Sequence, residues 1–308
     1  AFKDQDKIDS SLTEDIQLLT ALGVFQGDEN GNFNPTDNVK RSEAAKMIYV
    51  LKNNGVDDKA VAFQGVSKYS DVPVGHWAEG YINYCTNLGY MGGWKEGNVQ
   101  KFDPNGNVTG VELMKMLLCM IGYKADIQGY TGNGWQTNVL VDAATSGLSV
   151  EFTPSVYAAT PRQWTARLMV NAIDAPYVSY NNGQVQFGSW NRPDRSYGQQ
   201  YLGLETAVGV LDQTKTVDLD KNAANIAKGT KSDSTAVLVQ SNDITGSVSG
   251  TVKYDVSADL LGQAVKVYYK EGKNPGVSSA EKIYSVLPTK SAVYNTTLGD
   301  VKVDTTKI

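Results

Sequence analysis

Apolar residues fall at helical spacing through the first 175 residues and at a spacing of two, or in short runs, from about residue 235. The densest helical stretch follows the turn signal Asn105-Gly106. Thr109 stands three residues before Glu112, the spacing of a capping box, in which the threonine hydroxyl accepts from the Glu112 N–H and the carboxylate accepts from the Thr109 N–H. Leu113, Met114, Met116, Leu117, Leu118, Met120 and Ile121 follow almost without a break. A helix apolar most of the way round is buried by other helices.

The same pattern occurs three times. Phe33-Asn34-Pro35, Phe102-Asp103-Pro104 and Phe152-Thr153-Pro154 each precede a helix, predicted at Ser42–Leu51, Val111–Ile121 and Arg162–Ile173. For the third helix the expected start is Thr160 as cap, Pro161 in the first helical position and Gln163 closing the box. At the first, Glu43 is in place but Lys40 replaces the capping threonine. Each F-x-P is preceded by an amphipathic stretch ending in a C-capping glycine: Leu12–Leu22 before Gly23, Trp77–Leu88 before Gly89, and Trp135–Ser146 before Gly147. A period of roughly 50–70 residues predicts repeats that bury one another's apolar faces.

Residues 174–200, rich in Asn, Gly, Tyr and Ser, read as a connector that packs through its aromatics. Tyr201–Leu211 reads as one short element leading into a second domain. Ala236–Gln240, Ser247–Val256, Ala264–Tyr269, Glu281–Leu287 and Val301–Val303 are predicted strands, with a helical turn at 257–262. Val265, Val267 and Tyr269 share one face. The fold class expected is multidomain α + β, an all-α N-terminal module followed by a small antiparallel β barrel or sandwich. The divisions are 1–60, 61–125 and 126–175 for the repeats, 176–230 for the connector and 231–308 for the β domain.

A net charge of −5 without a dense Lys/Arg run argues against nucleic acid. No stretch is long and apolar enough to span a bilayer. Cys85 and Cys119 read as buried free thiols or, if their Cα atoms approach within roughly 7 Å, as a disulfide. His76, the only histidine, lacks the company of a triad or zinc motif and reads as structural or capping. Trp77, Tyr81, Tyr84 or Cys85, and Leu88 form a stripe expected in the core. Asp28–Asn32, Asp103–Asn107 and Asp218–Asn222 carry oxygen ligands at calcium-like spacing, but each lacks the rest of the motif and is explained by turn chemistry. No metal or cofactor is therefore expected, calcium being the weak alternative. Most carboxylates are explained as caps, turns or solvated faces, and no catalytic constellation is visible.

The ordered set in the second repeat resembles an S-layer homology (SLH) repeat: Tyr69-Ser70-Asp71-Val72, His76-Trp77, Gly89-Tyr90-Met91-Gly92, Phe102-Asp103-Pro104 and Thr109-Gly110-Val111-Glu112. The first matches as Phe2-Lys3-Asp4, Gly23 to Gly27, Phe33-Asn34-Pro35 and Val39-Lys40-Arg41-Ser42-Glu43. The third keeps F-x-P and Thr160-Pro161-Arg162-Gln163 without a clear F-x-D opening. The resemblance implies a pseudo-threefold helical module whose grooves hold an anionic secondary cell-wall polysaccharide, with the T-R-A-E arginine at the groove. Arginine suits this because its planar fork grips carboxylates in two places.

Carried over by position, Arg41 is the one arginine in register, with Lys40 beside it. Gly110 and Pro161 occupy the other two places, and Arg162 follows one place later. Arg41 is open between a ligand contact and a salt bridge between repeats. Glu43, Thr109, Glu112, Thr160, Gln163 and Trp77 carry the structural motif. The resemblance also implies an extracellular, non-enzymatic protein of the bacterial surface, bound non-covalently to the wall. A self-assembling surface-layer or filament subunit is the alternative, and the wall-anchoring part of a larger enzyme the second. The first repeat opening at residue 2 fits a mature N-terminus after signal removal. The strand-like end, Asp300–Ile308, fits a fragment of a longer chain or a strand lent to a neighbour.

Overall fold

The computed structural model describes residues 2–189, 191–211, 236–240, 251–254, 256, 258–260, 262–274 and 276–288. The chain divides into two units, Ala1–Glu205 and Thr206–Ile308. Six α-helices form the first: α1 Thr13–Ala21, α2 Arg41–Lys52, α3 Glu79–Asn87, α4 Gly110–Ile121, α5 Trp135–Thr145 and α6 Arg162–Asp174. Each lies within two residues of its predicted bounds. Gly23, Gly89 and Gly147 all have positive φ, 81°, 75° and 79°, as left-handed caps require. Leu113, Met114, Leu117, Leu118 and Ile121 of α4 are 1% exposed or less, so α4 is the buried helix its composition predicts.

The starts of α2, α4 and α6 interlock through the backbone. Val108 N–H donates to Val39 O at 2.9 Å, Val39 N–H to Thr160 O at 3.0 Å and Thr160 N–H to Val108 O at 2.8 Å, which closes a ring of three bonds. The first N–H of each helix, which has no intrahelical partner, donates to a loop carbonyl of a neighbouring segment. Arg41 donates to Gly106 O at 2.8 Å, Gly110 to Ala158 O at 3.2 Å and Arg162 to Asp37 O at 2.8 Å. The next N–H does the same: Ser42 to Pro104 O, Val111 to Val156 O and Gln163 to Pro35 O.

Two F-x-P loops are held by an aspartate from further back in the chain. The Asp4 carboxylate accepts from Phe33 and Asn34 N–H at 2.7 and 2.8 Å, and Asp71 accepts from Phe102 and Asp103 N–H at 2.9 and 2.8 Å. These bonds stabilise a backbone in which Asn34 and Asp103 have φ of 57° and 56°. Asp28, matched above to calcium spacing, accepts from Asn30 and Asn32 N–H within its own turn. Its carboxyl is held down to about 2, chiefly by the Asn32 N–H. The sites at 218–222 lie outside the described residues.

Two hairpins sit where irregular chain was expected. β1 (Trp94–Glu96) pairs with β2 (Val99–Lys101), and β3 (Val178–Asn181) with β4 (Gln184–Phe187), both antiparallel. The second lies in the connector, which packs through aromatics as predicted. Tyr197 is fully buried, Lys52 lies over the Tyr197 and Tyr201 rings at 5.2 and 4.5 Å, and Tyr180 Oη accepts from Lys124 N–H.

The second unit is a sheet in the order β7-β6-β5-β8-β9, with β5 Glu205–Leu211, β6 Ala236–Gln240, β7 Thr251–Lys253, β8 Ala264–Lys270 and β9 Lys282–Pro288. Each of the three pairs β5–β6, β6–β7 and β8–β9 is antiparallel. Val265, Val267 and Tyr269 share the core with Leu211, Val277 and Val286. Of the small antiparallel barrel or sandwich expected from the sequence, the described residues give antiparallel pairs in one sheet ending at β7 and β9, and among them no barrel is closed. The strand predicted at Val301–Val303 lies outside the described residues.

Candidate functional site

The neighbour's carbonyls fix where the first turn of α2 sits, and so where Arg41 points. Its Nε donates to Phe102 O at 2.8 Å and its Nη2 to Gly92 O at 2.6 Å, and the guanidinium lies 4.5 Å from the Phe102 ring centre. It bridges to the chain around residues 92–102, but through backbone carbonyls and an aromatic face.

Arg41 lines an open cleft of about 710 Å³ with Tyr90 and Trp94 from the β1 side, Glu112 and Lys115 from α4, and Trp135 from the start of α5. Lys115 Nζ lies 5.0 Å from the Trp135 ring centre. Burial pushes the pKa of both cations below their ordinary values. Glu112 opposes this at both, leading the carboxylates at Arg41 and acting with Cys119 at Lys115, where the Arg41 charge adds a smaller push downward. Neither cation has a carboxylate at salt-bridge distance among the described residues. Glu112 is engaged elsewhere, accepting from Thr109 N–H at 2.9 Å and Thr109 Oγ1–H at 2.8 Å, while Glu112 N–H donates to Thr109 Oγ1 at 3.4 Å. That is the predicted capping box. The cleft thus offers two partly desolvated cations beside exposed aromatic surface, Trp94 being 48% exposed. Such a surface receives an anionic group attached to a ring with an apolar face.

The other predicted residues are distributed differently. Lys40 is the exposed N-cap of α2, outside the cleft; having no side-chain acceptor, it contributes its N–H to Glu43 Oε2 at 2.9 Å. The third capping box does not form. Pro161, not Thr160, is the N-cap of α6, because the N–H and C=O of Thr160 are both taken by the backbone ring. Thr160 Oγ1 is buried without a partner, and Gln163 Oε1 accepts from Asp9 N–H at 2.9 Å instead. The register of Arg162 changes with it. With caps at Lys40, Thr109 and Pro161, the equivalent first positions are Arg41, Gly110 and Arg162. Arg162 is therefore in register with Arg41, and its Nη2 meets Glu43 Oε1 at 3.1 Å.

Trp77 and Leu88, both expected in the core stripe, are 53% and 47% exposed, because α3 runs only from Glu79 to Asn87; the buried part of the stripe is Tyr81 and Cys85. His76 Nδ1 accepts from Ala78 N–H at 3.1 Å, a local capping bond. Cys85 and Cys119 are free and buried, and burial pushes the Cys119 thiol up to about 11.

Sequence reasoning missed Lys115, Trp135 and Trp94. Lys115 carried a signal, as a lone cation in an otherwise apolar helix. The aromatics carried none, since their approach depends on how α5 and the β1–β2 hairpin fold back on α4.

Residues 1–45 and 68–113 match the S-layer homology domain family. The "Middle cell wall protein" of Brevibacillus brevis is 24% identical over 87% of this chain and 25% of its own length. The "Cell surface protein" of Thermoanaerobacter kivui is 26% identical over 89% of this chain and 33% of its own. A Bacillus anthracis protein named as an uncharacterized cell wall amidase is 32% identical over 36% of this chain and 19% of its own. The chain thus spans a quarter to a third of the length of the first two relatives. These matches assign it to the cell surface, and no described helix is long and apolar enough to cross a membrane.

Proposed function

We propose that the first unit is a wall-binding module in which three tandem SLH-type copies, 1–60, 61–125 and 126–175, are arranged about a pseudo-threefold axis and hold an anionic cell-wall polysaccharide in the Arg41 cleft. The closed ring of Val39, Val108 and Thr160 supports the threefold reading. One observation carries the ligand reading: Arg41 and Lys115 line one cleft, partly desolvated and unmatched by any salt-bridged carboxylate, beside Trp94 and Trp135. Asp103 and Glu112 line the same cleft, but neither meets these cations at salt-bridge distance; an anion bound there makes the direct contacts, and charge-assisted hydrogen bonds are worth about 1.5–3 kcal/mol each. The role is anchoring rather than catalysis, with the remainder of the polypeptide displayed at the surface. The amidase name of one relative supports the variant in which such a module anchors an enzyme.

Sedimentation with native cell wall, and with wall stripped of its polysaccharide, tests the reading. The parent should pellet only with native wall. Lys115→Gln, which removes a charge and leaves the backbone ring of Val39, Val108 and Thr160 untouched, should weaken binding about tenfold or more. Arg41→Ala should weaken it further. Equal pelleting of parent and both variants would leave the cleft without a role in wall binding.

A further inference from the structure

The next inference rests on reading the Arg41 cleft as an anion site. α2 and α4 start in equivalent ways, so the α4 residues beside Arg41 have counterparts at the same positions of α2, where Arg162 meets Glu43. Glu112 corresponds to Glu43 as the third residue of its helix, and Lys115 corresponds to Lys46 as the sixth. The aromatic partner has a counterpart too: Lys115 lies over Trp135 at 5.0 Å and Lys46 over Tyr81 at 6.0 Å, each ring from the helix that follows.

The two sets differ in where the carboxylates stand. Glu112 is bound to Thr109 N–H and Oγ1–H, and Arg41 is drawn to the Gly92 and Phe102 carbonyls. At the other set Lys40 offers no hydroxyl, and Glu43 gives Oε2 to the Lys40 N–H and Oε1 to Arg162 Nη2. Lys46 is bound by Asp57 Oδ2 at 2.9 Å, whose other oxygen accepts from Tyr81 Oη. Both cations are therefore neutralised from within, and Arg162 Nε is buried without a hydrogen-bond partner.

We propose that the surface at Arg162 and Lys46 is a second, latent copy of the anion site, held shut by Glu43 and Asp57, so that the chain binds one carboxylated sugar segment rather than two. An internal carboxylate competes at an effective concentration far above that of a free ligand, in the millimolar range or higher. Removing the two carboxylates, not adding contacts, is what opens the site.

The test uses the full chain and tri-galacturonate as the probe, with its methyl ester as the uncharged control, in titration calorimetry at low salt. The parent should bind one tri-galacturonate, with binding weakened about tenfold or more in Lys115→Gln and absent for the ester. Glu43→Gln with Asp57→Asn should bind two, the added site within about tenfold of the first in affinity. That site should disappear with Arg162→Gln and persist with Lys115→Gln. Glutamine remains a competent third residue for the cap, and asparagine can still accept from Tyr81, so the fold should survive; a thermal melt checks it. If the double variant does not fold, Glu43→Gln alone serves and should show the second site at weaker affinity. A folded variant with one site overturns the latent copy while leaving the Arg41 reading intact. Two sites in the parent also overturn it. No binding by any form overturns both.

Discussion

α4 and α6 begin with similar sequence signals, Thr-x-x-Glu and Thr-x-x-Gln, and end up capped by different physics. At α4 the box closes within four residues, Thr109 and Glu112 satisfying each other's backbone. At α6 the threonine backbone is already used by Val39 and Val108, the cap moves to Pro161, and the loop carbonyls of Asp37 and Pro35 take the first free N–H groups. α6 is also tied to the other end of the unit: Arg167, 4% exposed, stands 2.8 Å from Asp15 of α1, an ion pair whose N–H is not aligned as a hydrogen bond, and donates to Ser11 O. The first two N–H groups of both helices go to neighbouring loop carbonyls, so what separates the starts is position: Thr109 stands at the cap, while Thr160 stands one residue before it, where its backbone belongs to the ring.

The sharpest way to break this contrast is at Arg167. Arg167→Ala removes the buried guanidinium that Asp15 and Glu151 both meet and should cost about 3–5 kcal/mol, read as the largest fall in melting temperature among these variants. A loss no greater than that of a cap variant would mean α6 is not held mainly by tertiary contacts. Next is Asp71→Ala, which removes the carboxylate holding Phe102 and Asp103 and should cost about 1.5–3 kcal/mol.

The two threonines should then part in sign. Thr109→Ala should cost about 0.5–2 kcal/mol, as loss of an N-cap does. Thr160→Val removes a buried hydroxyl that has no partner and should be neutral or stabilising by up to about 1 kcal/mol. A destabilisation of Thr160→Val equal to that of Thr109→Ala would restore the third capping box.

The smallest expected effect is in pH dependence. Burial pushes the Asp4 and Asp71 carboxyls up, but the backbone N–H groups they accept from outweigh it and leave both below the ordinary 3.8. A depressed folded value means the stabilisation is present above 3.8 and is lost as pH falls through the lowered value. Unfolding by urea between about pH 5 and 2 should lose part of its slope in Asp71→Asn. The loop at Phe152 has no such aspartate in its sequence register, so changes there should leave the slope alone.

Much of the first unit was legible because its signals are local. Helix length, apolar periodicity and glycine C-caps act within a few residues, and all six helices lie near their predicted bounds. In the second unit, the alternation of Val265, Val267 and Tyr269 identified the core face of β8 for the same reason. The misreadings were one step less local. Trp77 had the right spacing for the α3 stripe, but the helix began two residues later. The hairpins at 94–101 and 178–187 are mostly exposed, so they carry little of the apolar alternation that marks a strand in the sequence.

By itself the sequence determined which segments are helices, where they stop, and that F-x-P and the capping residues recur in order. Tertiary structure alone decided the register of Arg162, the failure of the Thr160 box and the gathering of Arg41, Lys115, Trp94 and Trp135 in one cleft. The reason is physical: periodicity and capping follow from covalent neighbours within a turn or two. Which carbonyl receives a helix's first N–H, and which carboxylate meets an arginine, depends on segments dozens of residues apart being brought together. Arg41 and Arg162 are the same side chain at the same helix position; one faces an open cleft and the other faces Glu43.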